Sequence, residues 1–258
     1  MKTMSKPHIE KARLAPQARA ALGKVIRGWK KPASRDFWST HYTRHNQRRQ
    51  EHLASLNLPL AGRSVLETGA GLGDHTSFFL DRGCTVTVTE ARPESVRQLR
   101  KRFPGCRVEI LDLDHPPADG PRVDVVYCYG TLYHLEHPAD ALTFLSRCTD
   151  DLLLLETCVS GGEGQYVHPV EEDKYQASQA VSGTGCRPTR EWIFARLKEE
   201  FPFVYLPRTQ PWHTEFPIEW DDLGFDPSRL TRAVFVGSRT PLNNPELLES
   251  IPMRQKRH

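Results

Sequence analysis

The 258-residue chain predicts an α/β fold, a mostly parallel sheet with helices on both faces. Three observations carry that expectation. From residue 64 onward, short apolar runs rich in β-branched residues alternate with helical stretches. The first run, Val65-Leu66-Glu67-Thr68-Gly69-Ala70-Gly71-Leu72-Gly73, closes on an acid and passes into glycines at every second position. The second, Cys84-Thr85-Val86-Thr87-Val88-Thr89, also closes on an acid, Glu90.

In chain order, residues 1–60 read as a basic helical extension or lid, 61–240 as one domain and 241–258 as a mobile or surface-lying tail. Leu14, Ala18, Ala21, Leu22, Val25, Ile26 and Trp29 recur at helical spacing and predict an amphipathic helix from about Pro16 to Trp29. Ser34 is a candidate N-cap for a second helix, reaching about Leu56. Then follow strand 64–67, helix 74–82, strand 85–89, helix 93–103, strand 107–111, strand 123–129, helix 138–148 and strand 152–157. The polar, Gly-containing segment near 160–188 reads as a loop that covers a substrate, because loops of that length in compact domains are often functional. A helix over 189–201 and an apolar strand over 231–237 complete the fold. Between them, Trp212 to Trp220 reads as a hairpin-like insert suited to stacking on a sugar or base, or to covering a sheet edge.

With 38% hydrophobic residues, one sizeable core can be buried. No apolar run approaches a membrane span, and the first seven residues lack a signal-peptide apolar region, which predicts a cytoplasmic protein. The six cysteines include no C-x-x-C pair and read as reduced core residues. Charge is uneven. Residues 1–50 carry 13 Lys+Arg against two acids, whereas the remainder carries 22 against 30. A basic N-terminal segment suits nucleic acid or anionic lipid, or simply a solvated packing helix.

Glycines at 69, 71 and 73 permit a sharp strand-to-helix turn and leave room for a ligand against the main chain. A dinucleotide fingerprint needs its third glycine at 74, where Asp74 stands. Glu90, 21 residues after Gly69, suits a ribose diol. The acid-x-Gly-x-Gly-x-Gly order resembles motif I of the class I S-adenosylmethionine-dependent methyltransferases, whose fold is a Rossmann-like seven-stranded sheet. The resemblance implies S-adenosyl-L-methionine as cofactor, with Gly69 and Gly71 near its methionyl part, Glu67 helping to orient it and Ala70, Gly73 and Ala91 beside the same turns. Asp112 or the Leu113 backbone would meet the adenine edge, with Asp114 as rival, and Tyr129 would pack on the cofactor. Residues 231–237 would be the family's antiparallel seventh strand.

The segment Gly130-Thr131-Leu132-Tyr133-His134-Leu135-Glu136-His137-Pro138 resembles two groups of relatives. One methylates sugars and other secondary-metabolite hydroxyls. The other comprises bacterial tRNA wobble-uridine carboxymethyltransferases, which Leu153 to Thr157 and the loop around 183–188 also resemble. The tRNA enzymes use lysines and a tryptophan ahead of the glycine loop to neutralise an extra carboxylate. Here that region offers Trp38, His41, Arg44, Arg48 and Arg49, with no lysine between Lys31 and the glycine loop. Plain methyl transfer to a hydroxyl of a small polar molecule, sugar or glycan is therefore the leading expectation, and tRNA modification the alternative. An alcohol acceptor benefits from a general base, for which His134 is the first candidate and His213 the second, with Tyr133 shaping the pocket. Glu171, Glu172 and Asp173 are hard oxygen ligands, but three adjacent acids more often form a solvated turn, so no metal is expected.

Overall fold

The computed structural model describes residue 37 and residues 39–221, 223–226 and 229–258. The helix expected over Pro16 to Trp29, the Ser34 cap and Trp38 lie outside the described residues. Helices are α1 Thr40–Ser55, α2 Thr76–Leu80, α3 Pro93–Arg102, α4 Pro138–Cys148 and α5 Arg190–Glu200. Strands are β1 Ser64–Glu67, β2 Thr85–Glu90, β3 Arg107–Ile110, β4 Val123–Tyr129, β5 Thr149–Cys158, β6 Val167–Glu171, β7 Thr184–Pro188, β8 Phe203–Pro207, β9 Thr209–Gln210, β10 Arg232–Ser238, β11 Leu247–Leu248 and β12 Lys256–Arg257. Helix α1 starts after Ser39, whose hydroxyl accepts the Tyr42 N–H at 3.2 Å and satisfies one of the helix's orphan donors. None of the described helices is long and apolar enough to cross a membrane.

One sheet has the order β11-β8-β10-β5-β4-β1-β2-β3. Strands β1 to β5 pair in parallel, and β10 lies antiparallel between β5 and β8. The expected seventh strand is thus internal. Short β11 adds an eighth strand on the β8 edge. Strand β5 explains why the sheet is covered on both sides. Its Leu152 and Leu154 pack with Phe78, Phe79, Val96 and Leu99 from α2 and α3. Leu153 and Leu155 pack with Leu142, Leu145, Ile193 and Leu197 from α4 and α5. Alternating side chains on a strand point to opposite faces, so this four-leucine run is apolar toward both.

Four expectations need correction. Helix α2 is shorter than predicted, because Gly71 and Gly73 hold φ of 60° and 79°, and the chain stays in turns until His75. The segment expected as a loop near 160–188 contains the β6–β7 antiparallel hairpin, with Val167 opposite Pro188 and Glu171 opposite Thr184. Pro169 and Gly185 disguise it, since both are weak strand formers that a two-stranded edge ladder tolerates. The tail is strapped down by backbone pairing that its polar sequence does not advertise, β11 to β8 and β12 to β9. Buried Gln255 accepts the Trp220 indole N–H at 2.9 Å and donates to the Pro207 carbonyl at 2.7 Å. The 212–220 stretch forms turns and no hairpin; Trp220 is core, with the Arg190 guanidinium 3.7 Å from its ring centroid, while Trp212 is exposed.

Helix α1 is fastened to the sheet by charge. Glu156, 0% exposed near the end of β5, pairs with Arg49 of α1 and, at 3.1 Å, with Arg232 of β10. Arg232 Nε also donates to Glu215 at 2.6 Å. Burial works against both guanidinium charges, but the facing groups, Glu156 above all for Arg49, hold both pKa values above the ordinary one. Arg49→Met should lower the unfolding free energy by about 3–5 kcal/mol, because it strips one partner from a buried charge. The half-buried Arg48, paired with Glu51, should change it by less than about 1 kcal/mol when replaced by Met. Denaturant titration compares the two.

Glu67 supplies a second test. Buried at the end of β1, it accepts the Thr76 hydroxyl at 2.6 Å, and burial raises its pKa from 4.5 to about 7. Because the folded state holds its proton more tightly, this stabilising contribution is full below the unfolded value and is lost as pH rises through about 7. The loss is about 3 kcal/mol. Glu67→Gln, which cannot ionise, should remove that part of the pH slope in denaturation curves recorded between pH 5 and 8.

Candidate active site

The strand-end acids and loops converge on a cleft of about 250 Å³ at the carboxyl ends of the parallel strands. Gly69, Gly71, Glu90, Ala91, Asp112, Leu113, Tyr129, Tyr133 and His134 all line it. Gly69 has φ 61°, and a Cβ there would fall 2.1 Å from the Thr131 hydroxyl, so the β1 and β4 loops interlock only because the side chain is missing. A Cβ on Gly71 would lie 3.2 Å from the Phe37 ring. The Gly71 N–H donates to Glu90 at 2.9 Å and the Arg92 N–H at 3.1 Å, which fixes the Glu90 carboxylate at the cleft. Burial nevertheless pushes the Glu90 pKa upward.

Three of the residues expected at the cofactor lie off this lining. Glu67 and Ala70 border a small adjoining cavity behind the loop, which shares Gly69 and Tyr129 with the cleft and also takes in Asp74, His75 and Tyr127. Gly73 packs against the α3 side of the loop, where a Cβ would meet Phe103 at 2.4 Å and Leu99 at 2.9 Å. Of the rival acids, Asp114 is taken up by the chain itself, accepting the N–H groups of Glu136 and His137 at 2.7 and 2.9 Å. Asp112 bonds only within its own turn, accepting the Asp114 N–H at 3.0 Å, with its carboxylate 3.3 Å from His115. Tyr129 stacks on Tyr127 at 4.3 Å, and its buried hydroxyl has no partner among the described residues.

His134 opens a short 3₁₀ turn's end on the cleft wall. Its Nδ1 lies 2.5 Å from Glu172, which the β6–β7 hairpin brings over from 38 residues away. Glu172 also accepts the Ala180 N–H at 2.7 Å and lies 3.6 Å from Arg187. Burial raises the Glu172 pKa, but the hydrogen bond and charge of His134 and the pull of Arg187 outweigh it, leaving the pKa below the ordinary carboxylate value. Ionised Glu172 requires the proton on Nδ1 and leaves Nε2 as the basic nitrogen. Burial, partly offset by Glu172, lowers the His134 pKa below the usual 6.5. Glu172 is thereby committed to His134, which separates it from Glu171 and Asp173. Tyr133 accepts a 3.0 Å hydrogen bond at its hydroxyl from Arg232, and its ring lies between Arg187 and Arg232. His213 lies off the main cleft, in a neighbouring surface pocket with His41, Arg44, Trp212 and Arg257.

Sequence reasoning missed much of the wall. Phe37, Tyr42, His45 and Arg49 enter from the N-terminal helical region, Glu215 and Arg232 from the far side, and residues 177–181 form a roof. Arg92 holds that roof by donating to the carbonyls of Gln176 and Gln179 at 3.2 and 2.9 Å. Glu156 was within reach of the rule that singled out Glu67 and Glu90, being another acid near the end of an apolar strand.

Residues 65–151 match the family model described as a methyltransferase domain. The ribosomal RNA small subunit methyltransferase A of Anaeromyxobacter sp. (strain K) is 37% identical over 105 residues, 34% of this chain and 36% of that protein. The tRNA U34 carboxymethyltransferase of Alcanivorax borkumensis is 34% identical over 125 residues, 45% of this chain and 38% of that one. The chain therefore spans well under half the length of these relatives. In fold, it is similar to the N-terminal domain of EvdMO1, crystallised with S-adenosylhomocysteine and D-fucose, at a TM-score of 0.55 and 22% identity, over 78% of this chain and 84% of that one. Residues 65–151 thus form a methyltransferase domain, and the sheet order and glycine loop around them are those of the class I S-adenosylmethionine-dependent methyltransferase fold.

Proposed function

We propose that the chain transfers the methyl group of S-adenosylmethionine to a hydroxyl of a small polar molecule, sugar or glycan. The observation that carries this reading is the His134–Glu172 pair on the wall of the cleft that also holds Glu90 and the glycine turn. When bound, the cofactor supplies a methyl carbon activated by sulfonium charge. The residues fit it: the backbone at Gly69 and Gly71 lies bare, Glu90 presents a fixed carboxylate to a ribose diol, and Asp112 with the Leu113 backbone offers an adenine edge its partners. The remaining work is alignment and exclusion of water, which the roof at 177–181, the buried Tyr129 and the half-buried Tyr133 perform. His134 Nε2 receives the acceptor's hydroxyl proton, and the Nδ1–H stays on Glu172, which orients the ring.

An RNA acceptor is the second reading, favoured by the likeness to the tRNA U34 carboxymethyltransferase and by the basic first 50 residues. A carboxymethyl donor would need a cation for its extra carboxylate. Arg49 and Arg232, which line the cleft, already face Glu156, and this favours plain methyl transfer. Gel shifts with bulk tRNA that weaken as salt rises would favour RNA.

Glu90→Ala should weaken S-adenosylmethionine binding by about 1–3 kcal/mol in calorimetric titration, with Glu90→Gln intermediate. In single-turnover assays His134→Ala should lose at least about 100-fold with cofactor affinity preserved. Glu172→Gln should lose at least about tenfold. The wild-type rate should rise with pH through an ionisation below 6.5 and level above it, because only neutral His134 accepts a proton. An unchanged rate and pH profile in His134→Ala would remove the base.

A further inference from the structure

Methyl transfer makes no use of a second group of side chains on the cleft's outer wall. His41, His213 and Glu215 bring two imidazole nitrogens and a carboxylate oxygen within 4.8 Å of one another. His41 Nε2 is 3.2 Å from Glu215 Oε1. His45, one helical turn beyond His41 on α1, sets its Nε2 3.7 Å from Glu215 Oε2 and its ring 4.8 Å from that of His213. It is 5% exposed, and its Nε2 has no hydrogen-bond partner among the described residues. A buried polar nitrogen aimed into a cluster without a partner asks for an explanation.

We propose that His41, His213 and Glu215, backed by His45, form a binding site for a first-row divalent metal ion, with Zn²⁺ the best match. The donor set decides the class. Imidazole suits zinc, nickel, copper and cobalt, whereas magnesium and calcium demand several oxygens. The single carboxylate here is already balanced by Arg232, 2.6 Å from Glu215 Oε2, so the site has no excess negative charge to attract a hard cation. Arg232 instead serves as the outer partner that orients a ligating carboxylate, with Oε1 left for the ion.

Ligand atoms about 2.0–2.2 Å from zinc lie roughly 3.3–3.5 Å apart, so the widest contacts, at up to 4.8 Å, must draw in by about 1.5 Å at most. His41 is free to do so, being 68% exposed at the start of α1. His213 Nδ1 accepts the Glu215 N–H at 3.3 Å, a bond too long to hold the ring against a metal. His41 and Glu215 also line the main cleft, so the ion's open positions face it.

The test uses the full chain without an affinity tag, stripped with a chelator and titrated with Zn²⁺ against a chromogenic competitor. One ion per chain is expected, with no competition from millimolar Mg²⁺. His41→Ala and His213→Ala should each weaken binding by at least about tenfold, and His168→Ala, outside the cluster, should leave it unchanged. Co²⁺ should give a visible absorption band that His41→Ala loses. Absent binding, or equal affinity in both cluster variants and wild type, overturns the site. His41 is exposed, so its variant keeps the test independent of folding, which circular dichroism checks.

Discussion

Glu156 lies at the point where three separate pieces of chain meet, and its carboxylate is fully withdrawn from solvent. One oxygen takes Arg49 from α1 and the other takes Arg232 from β10. A buried carboxylate is tolerable only when its charge is matched and hydrogen-bonded, so its two partners have little freedom to leave. The same arginines carry the arrangement outward. Arg232 continues to Glu215 and the Tyr133 hydroxyl, and Arg49 to Asn46 at 3.0 Å. Gly130 stands close above, where a Cβ would fall 2.7 Å from the Arg49 guanidinium. The strand-four loop that bears Tyr133 and His134 is therefore seated on the charge cluster.

The cleft divides accordingly into two halves of different origin. The half proposed for the cofactor is largely local: Glu90 stands 21 residues after Gly69 in the glycine turn, and backbone conformation positions them. Its acceptor half is assembled from α1, the β6–β7 hairpin, the roof at 177–181 and β10. Polar and charged contacts rather than apolar packing hold that half together, through Glu172 with His134 and through Arg92 with the roof carbonyls. Such contacts are directional, so they set the orientation of an imidazole as well as its position.

The outer wall of the cleft draws on the same scaffold. Glu215 is oriented by Arg232, which is itself fixed by Glu156, so the histidines of α1 and of the 213 turn face a carboxylate whose direction is imposed from the core. The proposed base and the proposed metal ligands thus depend on one buried ion cluster, although neither touches Glu156.

What the sequence alone determined was the part governed by short-range rules. Period-two apolar runs fix strands, β4 and α4 to the residue, and glycines at alternate positions after an acid fix a ligand-bearing turn, because both follow from local backbone sterics. Glu90 stood out for the same reason, whereas His134 was singled out by the family resemblance of residues 130–138, and its role is a proposal. The tertiary structure alone decided that Gly73 serves packing, that Glu67 borders an adjoining cavity, that Asp114 caps a loop and that a supposed loop is a hairpin delivering Glu172. It also decided the pairing of residues 49, 156 and 232. Long-range contacts between polar residues leave no periodic trace in a sequence. Their partners are chosen by the path of the chain in space, and an arginine bound for the core reads the same as one bound for water.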